Sequence, residues 1–463
     1  MRLITVAALL LVGAGLWFIH GVAKIGAGYS AKQLCSGVFV GDMPADFVID
    51  VDIMPRLSST VPFMASLLSL QVEESSASAR VLTASATASY RPRYGCTLHG
   101  EVADLNGSSM TSESRQASTV IDNPRFDSAF DTLFEEPEDG GRNTLAVVVM
   151  HRGEVIAERY AEPVTADTRL QGWSMNKSLM ASLVGIQVER GLMSLDDPVA
   201  LTLRESGVDP AMISGVSEAM TLRHLMTMSS GLDFDERYLP GDDVTEMLYG
   251  GAPMWQVPLK QGQRVSPGQE FVYSSGDTNV VSYLWQLSLA GEPYVDWVDR
   301  EVNEPLGLTD PLLEPDVSGI QVGSSFAYLT ARDWARYGNW WLDAYHGRDS
   351  RLSKEWQRLA VTPSKAAGGG IYGLSFWLNV NRGEFPSLPE SNFHAGGNSG
   401  QFVMVMPESE LVVVRLGLTL EEGKSDINDG FAEILAVVDS FDDSERAITE
   451  GDDSGAAAVN RRR

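Results

Sequence analysis

Cysteine and histidine are both scarce in this sequence. Of 463 residues, two are cysteine and six are histidine, and no pair shows His-x-x-x-His or Cys-x-x-Cys spacing. Such spacings are the ones that bring zinc ligands onto one helix face or into one knuckle. We therefore expect neither a metal site nor a metal cofactor, and nothing in the sequence calls for another cofactor.

Positively charged residues are also few compared with negatively charged ones. The chain has 35 lysine and arginine residues against 62 aspartate and glutamate residues, which gives a formal net charge of -27. Nucleic acids and anionic lipid head groups would be repelled by such a surface. We therefore expect no nucleic-acid partner.

The two cysteines, Cys35 and Cys96, lie in the N-terminal quarter of the chain. They could form one disulfide if this region is exported to an oxidising compartment. In a reducing cytosol they would instead be two unrelated thiols. Spacing alone leaves both alternatives open.

The amino end, MRLITVAALLLVGAGLWFIHGVAKIG, is apolar over a long stretch. From Leu3 to Ala23 only His20 is ionisable, and about 20 apolar residues in a helix span roughly 30 Å of hydrocarbon. A cleaved signal peptide is the alternative, but its apolar region is usually shorter and no convincing Ala-x-Ala exit site follows. We predict an uncleaved signal anchor at residues 1–25, with the rest of the chain membrane-anchored and extracytoplasmic (periplasmic).

The remainder of the chain divides by composition. Residues 36–125 are mixed, with patches rich in serine and alanine and one alternating run that predicts a strand or two, and we interpret them as a small accessory region. A β-hairpin signal, NTLAVVVMHRGEVIAERYAE, opens the main domain, which we place at 140–442. The tail at 443–463 is too polar to bury a core, so we predict that it is disordered.

Within the main domain, hydrophobic periodicity predicts both helices and strands. Helices are expected at 174–190, 221–228, 278–290, 331–344 and 426–440, and strands near 371–380, 400–406 and 411–419. The strands come from both ends of the domain, with helices between them. This order indicates one sheet built from the two ends.

The segment GWSMNKSLM carries the first candidate for chemistry. Ser174 and Lys177 are three residues apart, so on a helix they share a face at its positive end. A lysine there would orient the serine proton and stabilise an alkoxide, as an acyl-transfer nucleophile requires. The alternative is that Ser174 is only a helix N-cap and Lys177 a surface residue.

Two later segments supply further candidates. Tyr273, in VYSSGDTN, could take the Ser174 proton if Lys177 stabilised its phenolate. His394 precedes two glycines, in FHAGGNSG, whose backbone could approach a substrate carbonyl as an oxyanion hole requires. Taken singly, Tyr273 fits a packed aromatic and the glycines fit a tight turn.

Together, Ser174-Met-Asn-Lys177, Tyr273-Ser-Ser275 and His394-Ala-Gly396 resemble the three ordered motifs of the serine β-lactamase and penicillin-binding-protein-like hydrolases. The resemblance covers roughly 140–440 and is closest to the branch with class C β-lactamases, family VIII esterases and 6-aminohexanoate-dimer hydrolase. It implies an α/β fold of the α+β kind, β-lactamase/transpeptidase-like. This fold has an antiparallel sheet flanked by helices plus an all-helical subdomain, here joined to the small N-terminal accessory region.

The resemblance also implies roles for individual residues. Ser174 would be the nucleophile, Lys177 would assist its deprotonation, and Tyr273 would be the general base and later the proton donor. His394 would support the hydrogen-bond network beside Tyr273. The backbone N–H groups of Ser174 and Gly397 would form the oxyanion hole.

Substrate contacts are expected from Ser275 and from Trp173, although packing is the simpler role for this tryptophan. Ser275 and His394 stand where class C β-lactamases have asparagine and lysine, and Tyr-x-Ser with His-x-Gly favours the esterase and amidase side of the family. We therefore expect a hydrolase of a small-molecule ester or amide. The alternatives are β-lactamase or D-Ala-D-Ala-peptidase-like activity on cell-wall peptides, and a non-catalytic envelope-binding scaffold.

Overall fold

A computed structural model describes residues 2–98, 118–138, 140–309, 311–349, 351–420 and 427–441, with the side chains of 2–14 and 16 excluded. The predicted disordered tail at 443–463 lies outside the described residues, as does part of the accessory region at 99–117. Most of the signal anchor predicted at residues 1–25 lies outside the residues whose side chains the structure describes.

The helices follow the chain in sixteen described segments. They are α1 (Arg2–Cys35), α2 (Ala45–Phe47), α3 (Met54–Thr60), α4 (Pro62–Ala65), α5 (Asp127–Phe134), α6 (Met175–Glu189), α7 (Val199–Glu205), α8 (Leu222–Met226), α9 (Asp243–Tyr249), α10 (Gln256–Gln261), α11 (Ser275–Ser288), α12 (Tyr294–Val298), α13 (Glu304–Leu306), α14 (Ala331–His346), α15 (Lys354–Ala360) and α16 (427–441). The predicted helices at 174–190, 221–228, 278–290, 331–344 and 426–440 are thus confirmed with shifts of a few residues.

The strands are β1 (Leu68–Val72), β2 (Ser76–Val81), β3 (Ala84–Arg91), β4 (Gly95–Leu98), β5 (Thr144–His151), β6 (Glu154–Tyr160), β7 (Leu170–Gln171), β8 (Leu312–Leu313), β9 (Ala327–Leu329), β10 (Trp377–Leu378), β11 (Phe393–Gly397), β12 (Gln401–Met406) and β13 (Leu411–Gly417). The accessory sheet has the order β1-β2-β3-β4, the main sheet β10-β11-β12-β13-β5-β6 and a small sheet β7-β9-β8. The predicted hairpin is β5–β6, whereas the strand predicted at 371–380 shortens to β10.

The main sheet is antiparallel and is covered on both faces. Along β5, Ala146, Val148 and Met150 belong to the largest apolar cluster, whereas Val147 and Val149 belong to a second cluster. Successive side chains of a strand point to opposite faces, so this alternation places β5 between two layers. The expected antiparallel sheet flanked by helices is confirmed.

Different helices cover the two faces of this sheet. On one face α14 packs against β5, β12 and β13, with Thr330 capping its N-terminus by accepting a hydrogen bond from the Asp333 N–H. On the other face Phe130 of α5 and Phe431 of α16 belong to the second apolar cluster. The main domain therefore includes α5 and starts before residue 140, the boundary expected from sequence.

The helix α1 connects the accessory region to the main domain by its packing. The second half of α1 packs against β2, β3 and α9. At the α9 contact a Cβ on Gly28 would lie 2.5 Å from the Tyr249 carbonyl oxygen, so glycine permits the close approach. A disulfide joins Cys35 to Cys96 with a Cα–Cα distance of 6.1 Å, which confirms the oxidised alternative.

A buried ion pair fastens the same helix to the small sheet. The Lys32 ammonium pairs with the Glu314 carboxylate, and the two side chains are 1% and 0% exposed. Glu314 also accepts hydrogen bonds from Ser36 Oγ at 2.9 Å and from the Cys96 N–H at 2.7 Å. Isolated charges at this depth would be very costly, so the pair fixes the position of α1.

The path of α1 corrects the expected end of the apolar anchor. Ala23 is fully buried and Ile25 is 5% exposed within the protein core, so the helix is already part of the domain there. Trp17, Phe18 and Ile19, just before this point, are exposed. Among residues whose side chains are described, no helix is both long enough and apolar enough to cross a bilayer.

Candidate active site

Ser174 and Lys177 meet at the N-terminus of α6. Ser174 occupies the N-cap position, but its side chain makes no capping hydrogen bond. Instead Lys177 Nζ donates to Ser174 Oγ at 2.9 Å, and Lys177 is fully buried. This geometry rejects the alternative of a simple helix cap followed by a surface lysine.

The surroundings of Lys177 favour a lysine that can lose its proton near neutral pH. Burial lowers its pKa to about 8, although the negative charge of Glu236 opposes the shift. Besides Ser174 Oγ, its Nζ donates to Ser275 Oγ at 2.9 Å and to the Ser324 carbonyl oxygen at 3.2 Å. The ammonium therefore has three acceptors, and the neutral amine would be aimed at the Ser174 hydroxyl.

Ser275 links Lys177 to a half-buried carboxylate, that of Glu236. Its hydroxyl accepts from Lys177 and donates to Glu236 Oε1 at 2.5 Å, while its backbone N–H donates to Glu236 Oε2 at 2.8 Å. Ser275 is fully buried and does not line the cavity described below. The expectation that Ser275 contacts substrate is therefore replaced by a role in connecting Lys177 to Glu236.

Glu236 belongs to the acidic loop at 235–243, which from its sequence could either overhang the site or be only a solvated loop. Burial raises its pKa, whereas Lys177 and the Ser275 hydrogen bonds oppose that change. The sequence signal was only a run of charges at 235–243, which usually means a solvated loop. The carboxylate becomes recognisable as part of the site only when its contacts with Ser275 are known.

Tyr273 lies beside the pair, with its ring centroid 4.7 Å from Lys177 Nζ. Burial raises the pKa of its phenol above the ordinary value, Ser174 opposes the rise through a hydrogen bond, and Glu236 reinforces it. The Tyr273 ring stacks on Trp377 at 5.2 Å between centroids. These surroundings hold Tyr273 as a neutral phenol, in contrast to the phenolate expected from sequence.

Gly397 ends β11 next to the segment that leads to Ser174. A Cβ at Gly397 would lie 2.3 Å from the carbonyl oxygen of Gly172, so only glycine allows this approach. Ser174 and Gly397 both line the same cavity. The oxyanion hole expected from the N–H groups of Ser174 and Gly397 stays a prediction.

His394 is the second residue of the same strand and faces a different partner from the one expected. Its Nε2 lies 3.5 Å from Oε2 of Glu384, and its ring packs edge-on against Phe385. Burial raises the pKa of Glu384, but the nearby His394 outweighs this effect and lowers the pKa. The structure therefore gives His394 a carboxylate partner at the cavity wall.

Trp173 has both properties considered from sequence. It is 3% exposed and belongs to the core shared with the accessory region, yet it also lines the cavity. Its φ of 49° is an uncommon conformation for a bulky residue, and it directly precedes Ser174. Packing therefore constrains the backbone that presents the nucleophile candidate.

A cavity of about 1100 Å³ opens above these residues. Ser174, Tyr273, His394 and Gly397 contribute to its lining, and residues of α1 and α3 form another part of the wall. Such a volume is at the upper end of ordinary small-molecule sites. The accessory region, whose role was left open by the sequence, therefore helps to enclose the candidate active site.

The fold and this site define a hydrolase of the serine β-lactamase-like superfamily. A family model described as Beta-lactamase matches residues 130–437. That match covers more than half of the chain, and the protein belongs to the Beta-lactamase family.

The similar proteins include several kinds of hydrolase. The chain is 24% identical over 296 residues to 6-aminohexanoate-dimer hydrolase of Paenarthrobacter ureafaciens, covering 59% of this chain and 72% of that protein. It is 28% identical over 206 residues to esterase EstB of Burkholderia gladioli, covering 40% and 50%. A solved family VIII carboxylesterase shares the fold with a TM-score of 0.51 at 13% identity, covering 68% and 99%.

Proposed function

We propose that this protein cleaves a small-molecule ester or amide through an acyl-enzyme intermediate on Ser174. The observation that carries the proposal is the fully buried Lys177, whose Nζ lies 2.9 Å from Ser174 Oγ and whose pKa burial lowers to about 8. A lysine with that pKa is about one-tenth neutral at pH 7, and the neutral amine can accept a proton.

In the acylation step, Ser174 Oγ attacks the carbonyl carbon of the substrate while its proton moves to the neutral amine of Lys177. The carbonyl oxygen becomes an oxyanion held by the N–H groups of Ser174 and Gly397. We assign Tyr273 to proton transfer toward the leaving group, because a neutral phenol beside Ser174 can donate a proton. The bond to the leaving group then breaks, and the Tyr273 phenolate recovers a proton from the Lys177 ammonium.

Deacylation repeats the sequence with water. A water molecule attacks the acyl carbon and gives its proton to Lys177, the oxyanion forms again, and the bond to Ser174 Oγ breaks. Ser174 recovers its proton and the acid product leaves. Neither step requires a metal or an organic cofactor.

Activity on β-lactams or D-Ala-D-Ala peptides is the alternative on the same residues. Such substrates present a carboxylate, and Arg56 is a cation that lines the cavity. Arg56 is already paired with Asp52 at 3.4 Å and donates to Asn398 Oδ1 at 3.1 Å. Because Arg56 is already paired, it attracts a substrate carboxylate less strongly. This favours hydrolysis of an uncharged ester or amide.

A non-catalytic envelope-binding scaffold is the alternative from another class, since a fold does not by itself establish activity. The retention of a buried lysine against Ser174 Oγ argues against it. A scaffold has no use for the unfavourable burial of that ammonium.

The test is intact mass spectrometry and turnover with a fluorophosphonate, p-nitrophenyl esters, a p-nitroanilide and a penicillin. Ser174→Ala is expected to lose the adduct and to lower kcat by about three or more orders of magnitude. Ser214→Ala, at an exposed serine, is the matched control and should leave both unchanged. Penicillin turnover that exceeds ester and anilide turnover would support the alternative, and full activity of Ser174→Ala would refute the proposal.

We also propose that the apolar segment before Val22 anchors the chain and that the domain is extracytoplasmic. The sequence of residues 3–19 and the Cys35–Cys96 disulfide support this proposal. Protease accessibility of the domain in intact spheroplasts is the measurement. If the domain resisted the protease in intact spheroplasts and was digested only after lysis, the proposal would be contradicted.

A further inference from the structure

The cavity above Ser174 is bounded on one side by the N-terminal region. Val22 and Ile25 of α1, with Leu57 of α3 and Val61 just after it, line this wall. All four are aliphatic. The wall is held in place by the Lys32–Glu314 pair and the Cys35–Cys96 disulfide described above.

The main domain also contributes apolar side chains to the cavity. Phe385, Phe402, Leu420 and Ile427 come from the main domain and line the same space. The cavity that these two sets of apolar side chains line has a volume of about 1100 Å³, which leaves room for more than the atoms of a small ester.

The charged groups in this lining are arranged in pairs. Arg56 Nε lies 3.4 Å from Asp52 Oδ1, and His394 Nε2 lies 3.5 Å from Glu384 Oε2. Arg56 and Glu384 thus each have an ionisable neighbour close by. Such a lining suits an uncharged apolar group better than an ionic one.

The apolar character continues outside the cavity along α1. Trp17, Phe18 and Ile19 are 79%, 61% and 41% exposed. At 1.5 Å per residue they lie about 5 to 8 Å along the helix axis from Val22. An apolar surface therefore leads from the outside to the wall of the cavity.

We infer that the substrate carries an apolar chain of about six or more carbons, and that this chain lies between the N-terminal wall and the main domain. This inference rests on the proposed function, since it names the substrate class of the same site. The apolar chain of the substrate is part of an ester or amide whose carbonyl carbon lies at Ser174. Hydrolysis proceeds by the steps already given and requires no further reactant.

Chain length is the first variable to test, with the full-length protein and p-nitrophenyl acetate, butyrate, hexanoate and octanoate below their critical micelle concentrations. Each buried methylene is expected to raise kcat/KM about fourfold. An increase of at least about tenfold from acetate to hexanoate would support the inference. A flat or falling series would overturn it.

Gly26 allows the cavity to be filled without disturbing the fold. It lines the cavity, and a Cβ built on it meets only Leu57 Cδ2 at 3.8 Å, an ordinary contact distance. Phenylalanine also has a higher helix propensity than glycine, so Gly26→Phe should not weaken α1. We expect Gly26→Phe to lower kcat/KM for octanoate at least about tenfold and to change that for acetate less than about threefold.

Gly21→Phe is the matched control. Gly21 is one and a half turns earlier on α1, a Cβ there meets nothing within 4 Å, and it does not line the cavity. It should leave the whole series unchanged. If Gly26→Phe lowered kcat/KM equally for acetate and octanoate, the inference would be overturned. If Gly26→Phe does not fold, the chain-length series on the unaltered protein decides the question.

A binding measurement separates this inference from the proposed function. Calorimetric titration of decanamide and acetamide into the Ser174→Ala protein needs no catalysis. Decanamide binding that is lost in Ser174→Ala/Gly26→Phe supports the apolar-chain site even if no ester is cleaved and Ser174 is never labelled. Ester turnover without chain-length preference and without decanamide binding leaves the proposed function standing and refutes the inference.

Discussion

Replacing Glu236 by glutamine should move the pH dependence of catalysis to lower pH. The proposed base is the neutral amine of Lys177, whose pKa is about 8, so kcat/KM is expected to rise with pH and to level off above that value. The Glu236 carboxylate favours the ammonium form and therefore raises this pKa. Removing its charge makes the neutral amine available at lower pH.

The size of the effect follows from the link through Ser275. The hydrogen bonds from Lys177 Nζ to Ser275 Oγ and from there to Glu236 Oε1 are 2.9 Å and 2.5 Å long. Nζ and Oε1 are therefore at most about 5.4 Å apart, and at an effective dielectric constant of about 20 their attraction is about 3 kcal/mol, or about two pKa units. Burial raises the pKa of Glu236 and weakens its charge, so we expect a shift of about one to two units.

The assay is kcat/KM for a soluble p-nitrophenyl ester between pH 5.5 and 9.5, corrected for spontaneous hydrolysis. Asp233→Asn, at an exposed carboxylate three residues away, is the matched control and should leave the inflection in place. Tyr273→Phe should lower kcat without moving the inflection, because its phenol is assigned only to proton donation. An inflection that stays fixed in Glu236→Gln, or moves upward, would refute Lys177 as the base.

Three further predictions concern stability. Burial raises the pKa of Asp277 to about 7, so between about pH 4 and 7 the native state binds more protons than the unfolded state. The unfolding free energy should therefore fall as the pH rises through that window. Asp277→Asn should recover about 3 to 4 kcal/mol at pH 8 in urea unfolding, and a pH slope that this substitution leaves unchanged would contradict the prediction. Cys35→Ser/Cys96→Ser should lower the stability of the N-terminal region by up to about 4 kcal/mol, because the disulfide spans 61 residues; hydrogen exchange over α1 that does not increase would count against it. Lys32→Met should cost about 3 to 5 kcal/mol by leaving the buried Glu314 carboxylate unpaired, and Lys32→Met/Glu314→Gln should recover part of that loss in thermal unfolding; a double variant less stable than the single one would refute this account.

Local patterns in the sequence were enough to predict much of the main domain. The continuous apolar run of β5, the periodicity of α14 and the three-residue spacing of Ser174 and Lys177 each depend on neighbouring residues and on regular geometry. Their positions in the structure agree closely with those expectations. The strand expected at 371–380 is the exception, because most of that apolar run forms turns beside the site rather than pairing with β11.

The contacts that distinguish this site depend on residues far apart in the chain. Glu236 reaches Lys177 through Ser275, and neither the acidic loop nor the tyrosine motif predicts that link by itself. The roles expected for Tyr273 and Ser275 differ from the observed surroundings for the same reason, since both depend on how deeply the side chains are buried. Burial raises the pKa of Tyr273 and so disfavours its phenolate, although the hydrogen bond with Ser174 opposes this change.

The N-terminal region contributes to the proposed chemistry through its packing. Burial lowers the pKa of Lys177 to about 8, and α1 and α3 form part of the wall of the cavity that the neighbouring Ser174 lines. The same wall supplies aliphatic side chains within the cavity. The helices that enclose the site are therefore also the ones that would select an apolar substrate. Loosening α1 should therefore raise the Lys177 pKa and weaken chain-length preference together, whereas Gly26→Phe should alter only the preference.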